Sequence, residues 1–218
     1  LRRCHDLRAT AVPGGATSLG VTHAWYHPST MAGTLEVIER LCAREWRRIV
    51  SSRGEEGAMP EPPEKTNALA EASAALDAMG APHAVVGGVA VGLRSGVPRA
   101  TMDTDIAIRS TVSRRAVIEA LAAAGLVLRG EFAHSVNFRH PSGEPVQAVF
   151  DAAFDAMIDR AEPVDIGPRR VRVVTTPDLI AMKERAAADP ARRRSKALRD
   201  QADVALLRGD VPDPDEGW

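Results

Sequence analysis

The sequence predicts an α/β (α+β) domain: a small mixed β-sheet flanked by helices, with further helices at its C-terminal end. Three observations carry this expectation. From residue 65 on, stretches with apolar residues at three- and four-residue steps alternate with short β-branched runs. Gly80, Gly125 and Gly209 each close a helical stretch. Ser113 and the triplet Thr176-Pro177-Asp178 stand where helix starts call for a cap and an early proline.

In order, the pattern predicts a helix over 66–80, capped by Thr66 or Asn67, a buried strand over 84–86 and a short helix over 89–93. A strand over 102–109, a helix over 113–124 and strands over 126–128, 135–139 and 145–150 follow, the last two joined by the turn HPSGEP. A helix over 154–160, a strand over 170–174, a helix from 176 and a last helix over 192–208 complete the domain, and the tail VPDPDEGW is irregular.

Residues 63–218 are thus expected to form one domain, preceded by a poorly ordered leader over 1–62. Within that leader, residues 34–50 read as an amphipathic helix, with Leu35, Ile38, Leu41, Cys42, Trp46 and Ile49 on one face. The stretch SSRGEEGAMPEPPEK, 51–65, reads as a linker. The chain begins with Leu1, and Met31 or Met59 is the expected true start.

The bulk numbers exclude several classes. With 218 residues, 44% of them hydrophobic, the chain is long enough for one proper core. A net charge of -1 argues against a general nucleic-acid coat. Cys4 and Cys42, the only cysteines, give neither a disulfide framework nor a zinc knuckle, which points to a reduced, cytoplasmic setting. No apolar run approaches the ~20 residues of a membrane span, and no secretion signal opens the chain.

The chemistry concentrates in GGVAVGLRSGVPRATMDTDIAI, residues 87–108. Gly87 and Gly88 sit at a strand-to-helix junction, where a backbone without Cβ atoms lets a bulky ligand approach. The N–H groups that open the next helix suit a phosphate. Taken alone, the two glycines read equally as a tight turn. Farther on, strand alternation puts Thr101, Asp103 and Asp105 on one face. The two carboxylates then repel, with Cα atoms roughly 6.5–7 Å apart. Each raises the other's pKa unless a cation lies between them. Mg²⁺ fits that need, since it takes one or two carboxylates and completes its shell with waters and phosphate oxygens. The plainer alternative is a pair of strand-end aspartates bridged to Arg94, Arg99 or Arg109.

Joined in one stretch, Gly87-Gly88, Arg99-x-Thr101 and Asp103-Thr104-Asp105 resemble the nucleotidyltransferase superfamily, whose fold is like the palm of DNA polymerase β. Within it the chain looks most like the minimal nucleotidyltransferases and the AbiEii-type toxin enzymes, over about residues 66–208. The segment from Thr176 to Leu207, with PDLIAMKERA, a basic run, Lys196, Asp200 and Asp203, adds a second similarity. The resemblance implies a Mg²⁺- or Mn²⁺-dependent transfer of NMP from an NTP to a hydroxyl of a tRNA, a protein or a small molecule. It also implies a toxin with a cognate antitoxin. Asp103 and Asp105 would hold the metal. Gly87, Gly88, Arg94, Arg99, Thr101, Lys183 and Lys196 would hold the nucleotide, with Arg94 or Arg99 steadying pyrophosphate.

The sequence departs from the family at the third carboxylate. That place, in EPVQAVFD, holds Gln147, which cannot act as a base. Asp151 shares Gln147's strand face four residues on, roughly 13 Å away, and either replaces the missing acid on a bent strand or caps the helix that follows. The alternative reading is therefore a catalytically weak or inactive nucleotide-binding module on the same fold. A metal-dependent phosphohydrolase is disfavoured because no histidine accompanies the aspartates. His83, His134 and His140 read as turn or surface residues. Lys183 and Lys196 read either as phosphate ligands or as a solvated helix face. The run from Arg192 to Arg199 reads as solvent-facing, paired with Asp200 and Asp203 at helical spacing, or as a hold on an RNA backbone.

Overall fold

A computed structural model describes residues 31–52, 62–98, 100–166 and 169–211. Most of the leader, the linker core, Arg99 and the tail from 212 on lie outside the described residues. Among the described residues the elements follow one another as α1 (Met31–Ser52), α2 (Lys65–Ala78), β1 (His83–Val86), α3 (Gly87–Ser95), β2 (Thr104–Ile108), α4 (Arg114–Ala123), β3 (Val127–Glu131), β4 (Ser135–Arg139), β5 (Pro145–Val149), a 3-10 turn (Ala152–Phe154), α5 (Asp155–Arg160), β6 (Glu162–Ile166), β7 (Arg169–Val173), α6 (Thr176–Ala188) and α7 (Arg194–Leu207).

The strands form one seven-stranded mixed sheet in the order β3-β4-β5-β2-β1-β7-β6. The pairs β1–β7 and β2–β5 are parallel, whereas β1–β2, β3–β4, β4–β5 and β6–β7 are antiparallel. Strand β1, sequence HAVV, lies between β2 and β7 and is buried at every position. Sequence reading misses β6. Its EPVDI holds a proline and two acids in five residues, a poor strand pattern that an edge position tolerates.

Ser113 caps α4 as expected, accepting from the Ala116 N–H at 3.3 Å. At α6 the cap lies one residue earlier than expected, on Thr175, and Pro177 stands in the first turn. Helix α2 is capped by neither Thr66 nor Asn67. Glu39 of α1 reaches over instead, accepting from Thr66 N at 3.2 Å and from Thr66 Oγ1 at 2.8 Å. A carboxylate at a helix N-terminus satisfies open N–H groups and the helix dipole together.

That contact shows how α1 is used. Leu35 and Ile38 are buried, and α1 packs against α3. The approach is close at Gly92, where an added Cβ would come within 2.6 Å of Ile38 Cδ1. The helix expected over 34–50 within the leader is thus built into the body of the fold.

His83 and His140, expected as turn or surface residues, are both buried. His83 Nδ1 lies 2.9 Å from the Ala81 carbonyl, and burial lowers its pKa. His140 Nε2 lies 2.9 Å from Glu71 Oε2.

Arg94, expected at the nucleotide, is committed elsewhere. Its Nε donates to the Val174 carbonyl at 2.9 Å, Nη2 to the Val173 carbonyl at 2.7 Å and Nη1 to Glu162 Oε2 at 2.7 Å. The planar fork of a guanidinium meets such converging acceptors well. The residue therefore ties α3 to the end of β7 and to β6, with all three of its nitrogens engaged there. Arg94→Met removes charge-assisted bonds worth roughly 1.5–3 kcal/mol. Denaturant unfolding is expected to show a loss of that order with a folded baseline like the parent's.

Candidate active site

Strand β2 sets out the site. Successive side chains point to opposite faces, so Asp105 and Thr104 look away from each other. Asp105 faces α3. The junction between β1 and α3 falls at Gly87, which has φ +69°. A side chain there would be strained, and its Cβ would stand 2.8 Å from Asp105 Cγ and 3.0 Å from Asp105 Cβ. Glycine at 87 is thus required twice, by the left-handed turn and by the carboxylate packed on it. Gly88 is buried in the first turn of α3, whose N-terminus has no side-chain cap.

Asp103 immediately precedes β2. Thr101 Oγ1 donates to the Asp103 carbonyl at 3.4 Å, and the Thr101 carbonyl accepts from Cys42 Sγ of α1 at 3.3 Å. Burial, and next the charge of Asp103, push the Asp105 pKa up to about 7. The charges of Lys183, Lys65 and Lys196 pull the other way. Two of these lysines were expected at the site; Lys65 was not.

Asp200 pairs with Arg192 of the basic run, in line with the expectation though not at helical spacing, and both acids also meet a lysine of another helix. Lys183 of α6 is buried between them, its Nζ 2.9 Å from Asp200 Oδ1 and 2.8 Å from Asp203 Oδ2. Arg192 holds the other Asp200 oxygen at 2.5 Å from the loop before α7. Burial works to raise the Asp200 pKa, but the Lys183 and Arg192 hydrogen bonds outweigh it and leave the pKa lowered. Because α6 and α7 pack together, a lysine on one helix meets acids from two turns of the other. Lys196 is exposed.

Gln147 stands opposite Asp105 on β5, and Asn137 stands opposite Gln147 on β4. Gln147 Nε2 donates to Asn137 Oδ1 at 3.0 Å. The place beside Asp105 is thus held by an amide tied to a second amide. Asp151 is not drawn into it. It caps the 3-10 turn, accepting from Ala153 N–H at 2.9 Å, and borders a hollow shared with α6.

On the Thr104 side lies a network that sequence reading misses. Thr104 Oγ1 donates to Glu144 Oε1 at 2.9 Å, and the Lys65 ammonium bonds the same oxygen. All three residues are buried. Burial raises the Glu144 pKa against the pull of Lys65. In the sequence, Lys65 ends a proline-rich linker and Glu144 lies in a turn, where charged residues read as exposed.

Among the described residues no group of three or more His, Cys, Asp and Glu is arranged to hold a metal. The fit of a divalent ion rests on Asp103 and Asp105 alone. It is supported by the repulsion between them, which a cation relieves. The remaining ligands must then be substrate oxygens and water, the usual habit of Mg²⁺.

Gly87→Ala is expected to cost at least about 1 kcal/mol, since it forces φ > 0 on alanine and displaces Asp105; urea melts and nucleotide binding are both expected to show the loss. A pH effect follows from Asp105 as well. Its folded pKa near 7 exceeds its ordinary value of 3.8, so the folded state binds the extra proton between those values. Without divalent ions, the Asp105 contribution is full below about pH 4 and is lost as pH rises through 7. Comparing the parent with Asp105→Asn across pH 4–8 by thermal melting is expected to show that slope in the parent alone.

Comparison with known proteins adds the family. The profile of the family described as "Nucleotidyl transferase AbiEii toxin, Type IV TA system" matches residues 68–216. No curated protein matches. Among solved structures, the lincosamide antibiotic adenylyltransferase LnuA, solved with lincomycin bound, is similar at a TM-score of 0.50 and 13% identity, over 68% of this chain and 99% of that one. The antibiotic-resistance factor ANT(2'')-Ia gives 0.49 and 19%, over 67% and 85%. A nucleotidyltransferase-like antigen of Paracoccidioides brasiliensis gives 0.47 and 21%, over 71% and 81%. The glycine pair, the paired aspartates and the C-terminal helices lie inside the matched stretch, and the chain belongs to the AbiEii family of nucleotidyltransferases.

Proposed function

We propose that the chain transfers a nucleoside monophosphate from an NTP to an acceptor hydroxyl, with Mg²⁺ or Mn²⁺ held by Asp103 and Asp105. The observation that carries this reading is the setting of Asp105. It is half-buried and packed on Gly87, repelled by Asp103, and reached by the charges of three lysines. A pocket that gathers two anions beside several cations suits a ligand that brings both a metal and a chain of phosphates.

The triphosphate lies along the start of α3, whose N–H groups have no side-chain cap. Lys183, fixed by Asp200 and Asp203, presents its ammonium toward that side with its charge largely balanced by the two acids, and exposed Lys196 adds a cation without a carboxylate partner among the ion pairs described. The acceptor oxygen forms a bond to the α-phosphorus as the bond to the β-phosphate oxygen breaks and pyrophosphate leaves. Bound metal supplies charge stabilisation at the entering and leaving oxygens. Gln147 takes no proton, so the hydroxyl proton passes to a substrate phosphate oxygen. Arg94 and Asp151, engaged elsewhere, take no part; Thr101 shapes the approach to Asp103, and Arg99 lies outside the described residues.

The family match supports a toxin held in check by a cognate antitoxin. No helix among the described residues is long and apolar enough to cross a membrane. A second reading, favoured by Gln147, keeps nucleotide binding without turnover.

Labelled NTP, Mg²⁺ and candidate acceptors (tRNA, protein, small hydroxyl compounds) are expected to give label transfer. Asp103→Asn and Asp105→Asn are each expected to reduce it at least about a thousandfold, or ~4 kcal/mol of transition-state stabilisation. Transfer surviving in both variants refutes the metal-site reading. A melting-temperature rise with Mg²⁺ and NTP but no transfer to any acceptor selects the binding module.

A further inference from the structure

Helix α1 precedes the stretch that matches the family, yet it walls a cavity that opens on Asp103. The cavity has a volume of ≈ 340 Å³. Cys42, Glu45 and Trp46 of α1 form one side, Ala100 to Asp103 another, and Arg139, Glu144 and Pro145 of the β4–β5 hairpin the third. None of its lining residues comes from α3, α6 or α7, the elements that carry Gly87, Lys183 and Lys196. The cavity therefore lies on the far side of the aspartate pair from the proposed triphosphate.

We propose that this cavity binds the acceptor, and that the acceptor is an uncharged, ring-bearing molecule with a free hydroxyl. The inference rests on the transfer reading given above and names the substrate class for it. Size is the first argument, because the volume falls at the lower end of the ~300–1,000 Å³ typical of small-molecule sites.

Lining chemistry is the second. Trp46, Met102, Pro63, Pro145, Ala100 and Cys42 are apolar or weakly polar, which suits the faces of a ring. Met102 is 69% exposed, an apolar side chain at the rim with little protein covering it.

Charge is the third. The charged lining residues are three carboxylates, Glu45, Asp103 and Glu144, against one guanidinium, Arg139. Lys65 balances Glu144, and Arg139 Nη1 donates to the Gly143 carbonyl at 2.7 Å. A nucleic-acid backbone needs an excess of Lys and Arg where it lies. This cavity has none, so an uncharged acceptor is favoured over an RNA end.

The test uses the full chain with Trp25→Phe and Trp218→Phe, which leaves Trp46 as the single tryptophan. Its emission is followed while phenyl β-D-glucopyranoside, uridine or tyrosol is added, and separately a single-stranded RNA octamer with a free 3′ hydroxyl. At least one of the uncharged compounds is expected to give a saturable change. Ala100→Phe and Cys42→Phe, which fill the cavity from two sides, are expected to weaken it at least about tenfold. In both, the melting-temperature rise with Mg²⁺ and NTP is expected to match the parent's.

Absence of a saturable change with all three compounds overturns the proposal, as does a change that both filled variants preserve. Loss of the NTP-induced rise in the filled variants also overturns it, since the cavity would then belong to the nucleotide. Saturation by the RNA octamer alone overturns the acceptor class. If the uncharged compound binds and NTP with Mg²⁺ fails to stabilise even the parent, the cavity stands and the transfer reading falls.

Discussion

Asp105 is packed into the space that a side chain at position 87 would otherwise fill, and the rest of the site depends on that contact. The carboxylate is placed where water is scarce and where the charge of Asp103 opposes its ionisation. Such a group is costly to ionise alone and becomes favourable when a divalent ion arrives. The fold supplies the cost through burial, and the uncapped start of α3 beside it is the surface proposed to take the phosphates. Around this point three lysines are set from three separate elements: Lys65 opening α2, Lys183 on α6 and Lys196 on α7.

Two of these lysines are anchored by buried acids. Lys183 lies between Asp200 and Asp203, and Lys65 lies on Glu144. Buried ion pairs of this kind contribute little net stability, while breaking one by removing a partner leaves an exposed cost of about 3–5 kcal/mol. Their use here is positional: each fixes a cation next to a carboxylate that needs one. Helix α1 adds a further layer. Through Glu39 it closes the start of α2, and through Cys42 it touches the carbonyl just before the aspartates.

Much of this was legible in the sequence, for definite reasons. The glycine pair after an apolar strand and the two acids one residue apart are local signals, written within 22 contiguous residues. Helix caps such as Ser113 are equally local. What stayed hidden depends on tertiary neighbours. The capping of α2 by Glu39 joins residues far apart in the chain, and the Lys65–Glu144–Thr104 network joins a linker end to a hairpin turn. Arg94 read as a phosphate ligand because it lies between the glycines and the aspartates, but β7 carbonyls and Glu162 claim it. Strand alternation placed Gln147 and Asp151 on one face, and only the pairing of β5 with β2 shows which of them meets Asp105.

The most direct test of the central claim is calorimetry of Mg²⁺–nucleotide binding near pH 6.5 in two buffers of different ionisation enthalpy. Near that pH the Asp105 carboxyl, with its pKa pushed up to about 7, is largely protonated in the free protein. The account predicts net proton release on binding, absent in Asp105→Asn, where binding itself is also much weaker. Binding of equal strength and equal proton release in the parent and in Asp105→Asn would contradict it.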